Sequence, residues 1–359
     1  IAYTPDGSPL VGPAWGVRNV WINEGHSFGI TAAGGAGWQL AEWIVEGEPG
    51  IDMLAVDPRR FGGYTSKRYL VAKNEEAYRD VFTIHYPDEE RHDARPAKTS
   101  PVYDKLRRLG AVFGQRYGWE RANWFAPAGV EPKDVWSFRR TNYFEHVGNE
   151  CRRLREKVGV IDLTPFTKFE VTGPGAEGWL DSLVANKVPT KVGRIALCHA
   201  LTQRGGIRSE FTITKLADHH YYVVSAGAAE RYDSDFLQKR LPTDGSVALR
   251  NITGSRGVFV LAGPRARDVL AKLTDVPLDN ASFPWLTGQV IEAGLATDVY
   301  ALRVNFVGAL GWELHFPIEY AHGLFDAIFA AGADCGIGMA GMRAMESLRM
   351  EKSYRMWGS

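Results

Sequence analysis

The pattern of apolar and polar positions divides the chain into three stretches of different character. Near its start, the apolar run NVWIN (19–23) reads as a strand leading into the glycine-dense GHSFGITAAGGAG (25–37). A helix is predicted over GWQLAEWIVEG (37–47), where Leu40, Trp43 and Ile44 recur at helical spacing and Gly47 and Pro49 set the end. Residues 51–140 carry little regular periodicity and are rich in Tyr, Arg, Pro and Trp, with one helix predicted over EEAYRDVFTIHY (75–86). From 141 the pattern changes to a helix, YFEHVGNECRRLREKVG (143–159), and then short strand-like runs. These are KFEVT, SEFTITKL, HYYVVSA, VFVLAG, YALRVNF and WELHFP, with helical stretches between them. Strands and helices in this irregular order predict an α+β fold. The expected division is the end of an α/β domain at 1–50, a connector at 51–140, and an α+β region at 141–359.

Two segments of the last region repeat each other. KFEVTGPGAEGWLDSL (168–183) and VFVLAGPRARDVLAKL (258–273) superpose without gaps, each reading as strand, Gly-Pro turn, helix. The first copy holds a GxGxxG at Gly173, Gly175 and Gly178, the pattern of a dinucleotide-binding turn. A pyrophosphate site needs those glycines for close backbone approach and helix packing. The second copy has Arg265 and Asp268 in place of the last two, yet keeps the pattern. The unit therefore needs only Gly-Pro, and the fingerprint is read as coincidence.

Composition narrows the function classes. Hydrophobic residues make up 45% of the 359 positions, enough to bury two or three cores rather than leave a disordered chain. Lys+Arg and Asp+Glu are both 42, so the net charge of zero gives no electrostatic case for nucleic acid or an anionic membrane as partner. No apolar run approaches the ~20 residues of a membrane-spanning helix. Cys151, Cys198 and Cys335 are odd in number and far apart, which argues against a disulfide scaffold or zinc site and for a reducing compartment. Cys198-His199 is no nucleophile-base pair, because strand neighbours point to opposite faces. The chain begins without Met and stops directly after a helical pattern, so it is expected to be an internal piece of a longer polypeptide.

Several stretches resemble known families. TPDGSPLVGP (4–13), GHSFGITAAGGAG and GWQLAEWIVEGEP are similar to the closing segment of FAD-dependent amine and amino-acid oxidoreductases of the D-amino-acid oxidase class. There this turn approaches the flavin's pyrimidine edge, which implies backbone contacts from Gly29, Ile30 and Thr31; without the resemblance, a tight strand-helix connection explains the glycines equally well. RRFGG (59–63), GWERANWF (118–125), NKVPTKVGRIALCHALTQRGGI (186–207) and SLRMEKSYRMWG (347–358) resemble the dimethylglycine and sarcosine dehydrogenase family, collinearly over essentially the whole chain. That resemblance implies an oxidoreductase whose FAD domain oxidises an N-methyl amine and passes electrons to an acceptor. Its C-terminal half is similar to the T-protein aminomethyltransferase of glycine cleavage and takes the one-carbon unit on tetrahydrofolate. FAD would need a nucleotide-binding part that precedes this chain. The implied location is the bacterial cytoplasm or the mitochondrial matrix.

The same resemblance places a carboxylate after the Gly-Gly-Ile turn and a second in a GxxGxE motif, here Glu210 and Glu313. A carboxylate suits the N–H and amino donors of a pterin edge, and a second can take the proton of the attacking amine. Glu210 is the expected base, Glu313 and Phe306 the expected folate contacts, and Arg349 either anchors a folate tail or pairs with Glu346 or Glu351. Family members usually carry Asp for Glu210, Tyr for Phe306 and Glu for Ala309. These departures keep two rivals open, a stand-alone folate-dependent transferase and an inert folate-type binding module. The sequence leaves open the oligomeric state and which N-methyl amine is the substrate.

Overall fold

The computed structural model describes residues 3–358. Strands β1 (Leu10–Pro13) and β2 (Trp21–Glu24) form a hairpin, and helix α1 (Gly29–Glu46) packs its buried Leu40 and Trp43 against Val11 and Met53. The glycine-dense stretch is therefore not a turn ahead of the helix but its first half. Gly34, Gly35 and Gly37 lie inside α1, where each lowers helix propensity by about 1 kcal/mol relative to Ala and hides the period from a sequence reading. Gly47, in the left-handed conformation at φ 80°, closes the helix as expected.

Helix α2 (Lys67–Arg79) starts and ends earlier than the predicted 75–86. The Ser66 hydroxyl caps it by accepting the Tyr69 N–H at 3.2 Å, a polar signal that apolar periodicity does not register. Helix α3 (Tyr103–Arg108) and the hairpin β3 (Ala111–Arg116)–β4 (Trp119–Phe125) follow within the stretch that showed no period. Val102, Leu106 and Ala111 join the same core as the strands that follow.

The remaining elements are α4 (Phe144–Glu156), β5 (Val158–Asp162), β6 (Thr167–Thr172), α5 (Ala176–Leu183), β7 (Ile195–Leu201), β8 (Ile207–Ala217) and β9 (His220–Ser225). After them come α6 (Glu230–Gln238), β10 (Ala248–Asn251), β11 (Arg256–Ala262), α7 (Ala266–Leu270), β12 (Gly288–Ala293), β13 (Ala296–Leu302), β14 (Gly311–Pro317), α8 (Ala321–Ala331), β15 (Ile337–Met339) and α9 (Met342–Glu351). One antiparallel sheet has the order β10-β6-β9-β8-β7; the other, β12-β13-β14-β11-β5-β15, is antiparallel except for β15 beside β5. Alternation on β9 shows how they meet. Tyr221 and Val223 face the core under α5 and α6, whereas Tyr222 and Val224 pack with Tyr300 and Leu302 of the other sheet.

The repeated segments are β6-turn-α5 and β11-turn-α7. Gly173 and Gly263 both take positive φ, 114° and 127°, and at both a Cβ would lie 2.4 Å from a carbonyl oxygen, of Ser246 and Lys157. The Gly175 N–H donates to Ser246 O just as the Arg265 N–H donates to Lys157 O, both at 3.0 Å. The donor that a phosphate would need is thus used internally. Gly178 has nothing within 4 Å of its Cβ position, so Gly178→Ala is expected to stabilise by about 0.4–1 kcal/mol in urea denaturation. Gly175→Ala is expected to destabilise, because its Cβ would sit 2.8 Å from Ser246 Oγ and 3.1 Å from Val247 Cγ2. A gain at Gly175 would show that this turn is looser than its hydrogen bonds suggest.

Glu150 on α4 binds two elements together. Its carboxylate accepts the Phe125 N–H of β4 at 2.7 Å and the Gly341 N–H ahead of α9 at 2.8 Å. Burial pushes its pKa up to about 7 against the pull of those two donors. In Glu150→Gln the amide nitrogen must face one N–H, leaving a buried donor unpaired. A loss of about 1–3 kcal/mol is expected in denaturant titrations, and an unchanged midpoint would reduce Glu150 to a spectator.

Candidate active site

A cavity of about 1450 Å³ opens between the two sheets and is closed by residues 48–54 on one side and 353–358 on another. Glu210 enters it from β8. It stands opposite His199 of β7 in the strand register, and its Oε2 lies 3.1 Å from His199 Nε2. Cys198 points the other way into the core, where burial raises its thiol to about 11 and removes any nucleophilic thiolate at neutral pH. Glu48, 8% exposed, holds the tip of the β7–β8 hairpin by accepting the Gln203 and Arg204 N–H groups at 2.9 and 3.3 Å. The stretch following α1 thereby fixes the hairpin that carries Glu210.

Glu313 enters from β14 and is 6% exposed, no solvated strand-end residue. On that strand Trp312, Leu314 and Phe316 face the core, so Glu313 and His315 share the opposite face. His315 Nε2 lies 3.2 Å from Glu313 Oε2, and its Nδ1 lies 2.9 Å from the Tyr222 hydroxyl of the other sheet. Phe306 contributes its ring to the wall and meets Tyr354 edge-on at 6.4 Å. Arg208 also lines the cavity, its guanidinium 4.6 Å from the ring centres of both Tyr232 and Phe236. The arrangement sets two carboxylates from different sheets around one space with aromatic walls, suited to a planar ligand rich in N–H donors.

The family model described as the GCVT N-terminal domain matches residues 102–359, and that of the FAD dependent oxidoreductase central domain matches 46–100. The chain belongs to the GCVT N-terminal domain family. Over its full length this GCVT-family chain is 39% identical to mitochondrial dimethylglycine dehydrogenase of Mus musculus, spanning 41% of that protein. It is 34% identical to 4-methylaminobutanoate oxidase (formaldehyde-forming) of Paenarthrobacter nicotinovorans, over 99% of this chain and 43% of that one. The chain thus spans about two fifths of the length of the curated relatives it matches. Its similarity to the dimethylglycine and sarcosine dehydrogenases runs along essentially the whole chain. The solved glycine cleavage system aminomethyltransferase T from Bartonella henselae shares the fold, with a TM-score of 0.60 at 23% identity over 72% of this chain and 63% of that one. Among the described residues, no helix is long and apolar enough to cross a membrane.

Within this GCVT-type fold, three of the expected residues, Glu210, Glu313 and Phe306, meet in the cavity. Arg349 does not line it, and of the two alternatives expected for it the structure shows the pairing. Its guanidinium pairs with Glu346 and donates to Tyr354 O at 2.8 Å, bracing the segment that closes the cavity. Gly29, Ile30 and Thr31 form the first turn of α1, outside the cavity, with no side chain capping the helix. Ala309 packs in the core beside α9. Sequence reasoning missed His199, His315, Tyr222, Glu48 and Arg208. A count of hairpin register would have set His199 against Glu210, and the strand period of two would have set His315 beside Glu313.

Proposed function

We propose that this chain is the folate side of a flavin-dependent dehydrogenase or demethylase for N-methylated amino acids of the dimethylglycine or sarcosine class. The one-carbon unit of the oxidised amine passes to tetrahydrofolate as 5,10-methylenetetrahydrofolate. The observation that carries this reading is the shared cavity of Glu210 and Glu313. Glu313 accepts the N–H and amino donors of the pterin edge, holding the ring flat against Phe306. As one folate nitrogen adds to the iminium carbon, the C=N π pair returns to the amine nitrogen and Glu210 takes the proton that leaves the attacking nitrogen. Passing that proton to the amine nitrogen lets the demethylated amine leave, and the second folate nitrogen closes on the carbon with loss of its own proton. His199 donates its Nε2–H to the Glu210 carboxylate at 3.1 Å and sets its direction. Arg208 is one of the cationic residues lining the cavity, with Lys187, Arg204 and Arg355, that are available to an anionic folate tail.

Flavin supplies the hydride acceptor for the oxidation, and the residues toward it fit that role. The uncapped N–H groups of Gly29, Ile30 and Thr31 lie at the positive end of the α1 dipole and suit partial negative charge on a ring carbonyl. Titrating the purified chain with tetrahydrofolate tests the reading. Trp43, Trp285 and Trp357 line the cavity, so saturable quenching of their fluorescence is expected. No saturable binding would favour an inert module.

A further inference from the structure

Both hydrogen-bonding positions of His315 are accounted for, and together they fix its proton. The side chain is fully buried, with Glu313 Oε2 at 3.2 Å from Nε2 and the Tyr222 oxygen at 2.9 Å from Nδ1. A neutral imidazole has one N–H and one bare nitrogen. An ionised carboxylate can only accept, so the N–H is on Nε2; Nδ1 is then bare and accepts the Tyr222 O–H. The charged surroundings agree. Besides Glu313 on its own strand, His315 feels the cations Lys168 of β6 and Arg256 of β11, and burial with these two keeps the ring neutral against the pull of Glu313. Lys168 donates to Thr164 O and Thr253 O at 2.8 and 3.1 Å, and burial pushes its pKa down to about 7. Arg256 lies 3.7 Å from the Tyr300 ring centre of β13, and the Tyr300 ring meets that of Tyr222 edge-on at 5.2 Å. Burial also keeps the proton on Tyr222.

We propose that Tyr222 and His315 are positioning residues that hold the Glu313 carboxylate in the orientation that receives the pterin edge. The chain Tyr222 O–H to His315 Nδ1, and His315 Nε2–H to Glu313, runs from one sheet to the other. One carboxylate oxygen is committed to the imidazole, so the other and the remaining lone pairs face the cavity. The aim of Glu313 therefore depends on how the two sheets are docked. This inference rests on the folate reading for its ligand, but the tautomer and the chain of hydrogen bonds do not.

The test is a double-mutant cycle in the full chain with tetrahydrofolate as the probe. Tyr222→Phe keeps the ring and removes only the donor, and is expected to weaken tetrahydrofolate about tenfold, the worth of one hydrogen bond. In a Glu313→Gln background the same change is expected to cost little further affinity, because its effect passes through Glu313. Equal losses in both backgrounds, or no loss in either, overturn the proposal; a merely structural role gives the former. His315→Gln, which keeps a donor near the Nε2 position, should bind more tightly than His315→Leu, and equal binding counts against positioning. Imidazole ¹⁵N shifts judge the relay even if wild type binds no folate, an outcome that sinks the folate reading alone. They should report protonated Nε2 and bare Nδ1 across about pH 5–8. An imidazolium, or the other tautomer, overturns the relay.

Discussion

In an enzyme that carries this chain together with a flavin domain, Glu210→Gln is expected to lower formation of methylenetetrahydrofolate by roughly 10²–10⁴-fold while amine oxidation stays near normal. The amide is isosteric with the carboxylate but cannot take a proton at neutral pH. Its carbonyl oxygen can still accept from His199 Nε2, which Glu210 Oε2 meets at 3.1 Å, so the change removes the base while sparing that contact. Oxidation should survive, because the α1 turn proposed to face flavin lies outside the cavity that holds Glu210. The uncaptured iminium then hydrolyses, and formaldehyde replaces the folate product. Glu210→Asp keeps a carboxylate of the kind the family usually has, and transfer is expected to persist, although the shorter side chain loosens its contact with His199. Dye reduction and folate product followed side by side decide the matter. Equal transfer in wild type and Glu210→Gln would make this glutamate a bystander, and joint loss of oxidation and transfer would mean a folding defect.

The strands that build the site were legible because they alternate. KFEVT, SEFTITKL, HYYVVSA, VFVLAG and WELHFP appear as β6, β8, β9, β11 and β14, whereas YALRVNF (300–306) coincides with β13 only over its first three residues, the strand running Ala296–Leu302 and leaving Phe306 in the loop beyond it. Their period of two also put Cys198 in the core and His199 in the cavity. What stayed hidden was hidden for physical reasons. In α1 the glycines mask the first half of the helix, so only its second half, with Leu40 and Trp43 at helical spacing, was legible. The β3–β4 hairpin lies in a stretch rich in Arg, Trp and Tyr, whose burial depends on partners far away in sequence, such as Glu150 of α4. Glu210 and Glu313 could each be singled out by resemblance, but their meeting in one cavity is a property of sheet docking. Arg349 marks the limit of motif reasoning. The motif left two roles open for this cation, a tail anchor or a partner of Glu346 or Glu351, and only the structure shows it paired with Glu346, three residues earlier on the same helix.

Arg59→Met is expected to destabilise the protein by about 3–5 kcal/mol, the cost of leaving buried carboxylates without their counter-charge. Arg59 sits in a single helical turn after α1, within RRFGG, and its side chain is 3% exposed. Its guanidinium donates to Asp57 through Nε at 2.9 Å and to Asp235 of α6 through Nη1 at 2.8 Å, and lies 4.6 Å from the Tyr232 ring centre. Burial disfavours the charge, but the hydrogen bonds and fields of Asp57 and Asp235 outweigh it and raise the pKa. Only a planar fork can serve both acids at once, so Arg59→Lys should recover part of the loss and not all of it. Lys239 remains on Asp235 at 2.7 Å in either variant, which leaves Asp57 the more exposed to the change. Because Asp57 and Tyr232 both line the cavity, the clamp joins the residues after α1 to the wall of the proposed folate site. Tetrahydrofolate affinity should therefore fall in Arg59→Met even under conditions where the variant is fully folded. The pair is out of reach of solvent, so added salt should change the stability difference little. Urea denaturation at low and high salt provides the check. A loss below about 1 kcal/mol, or one that disappears in salt, would mean that this clamp opens to water and contributes no more than a surface ion pair.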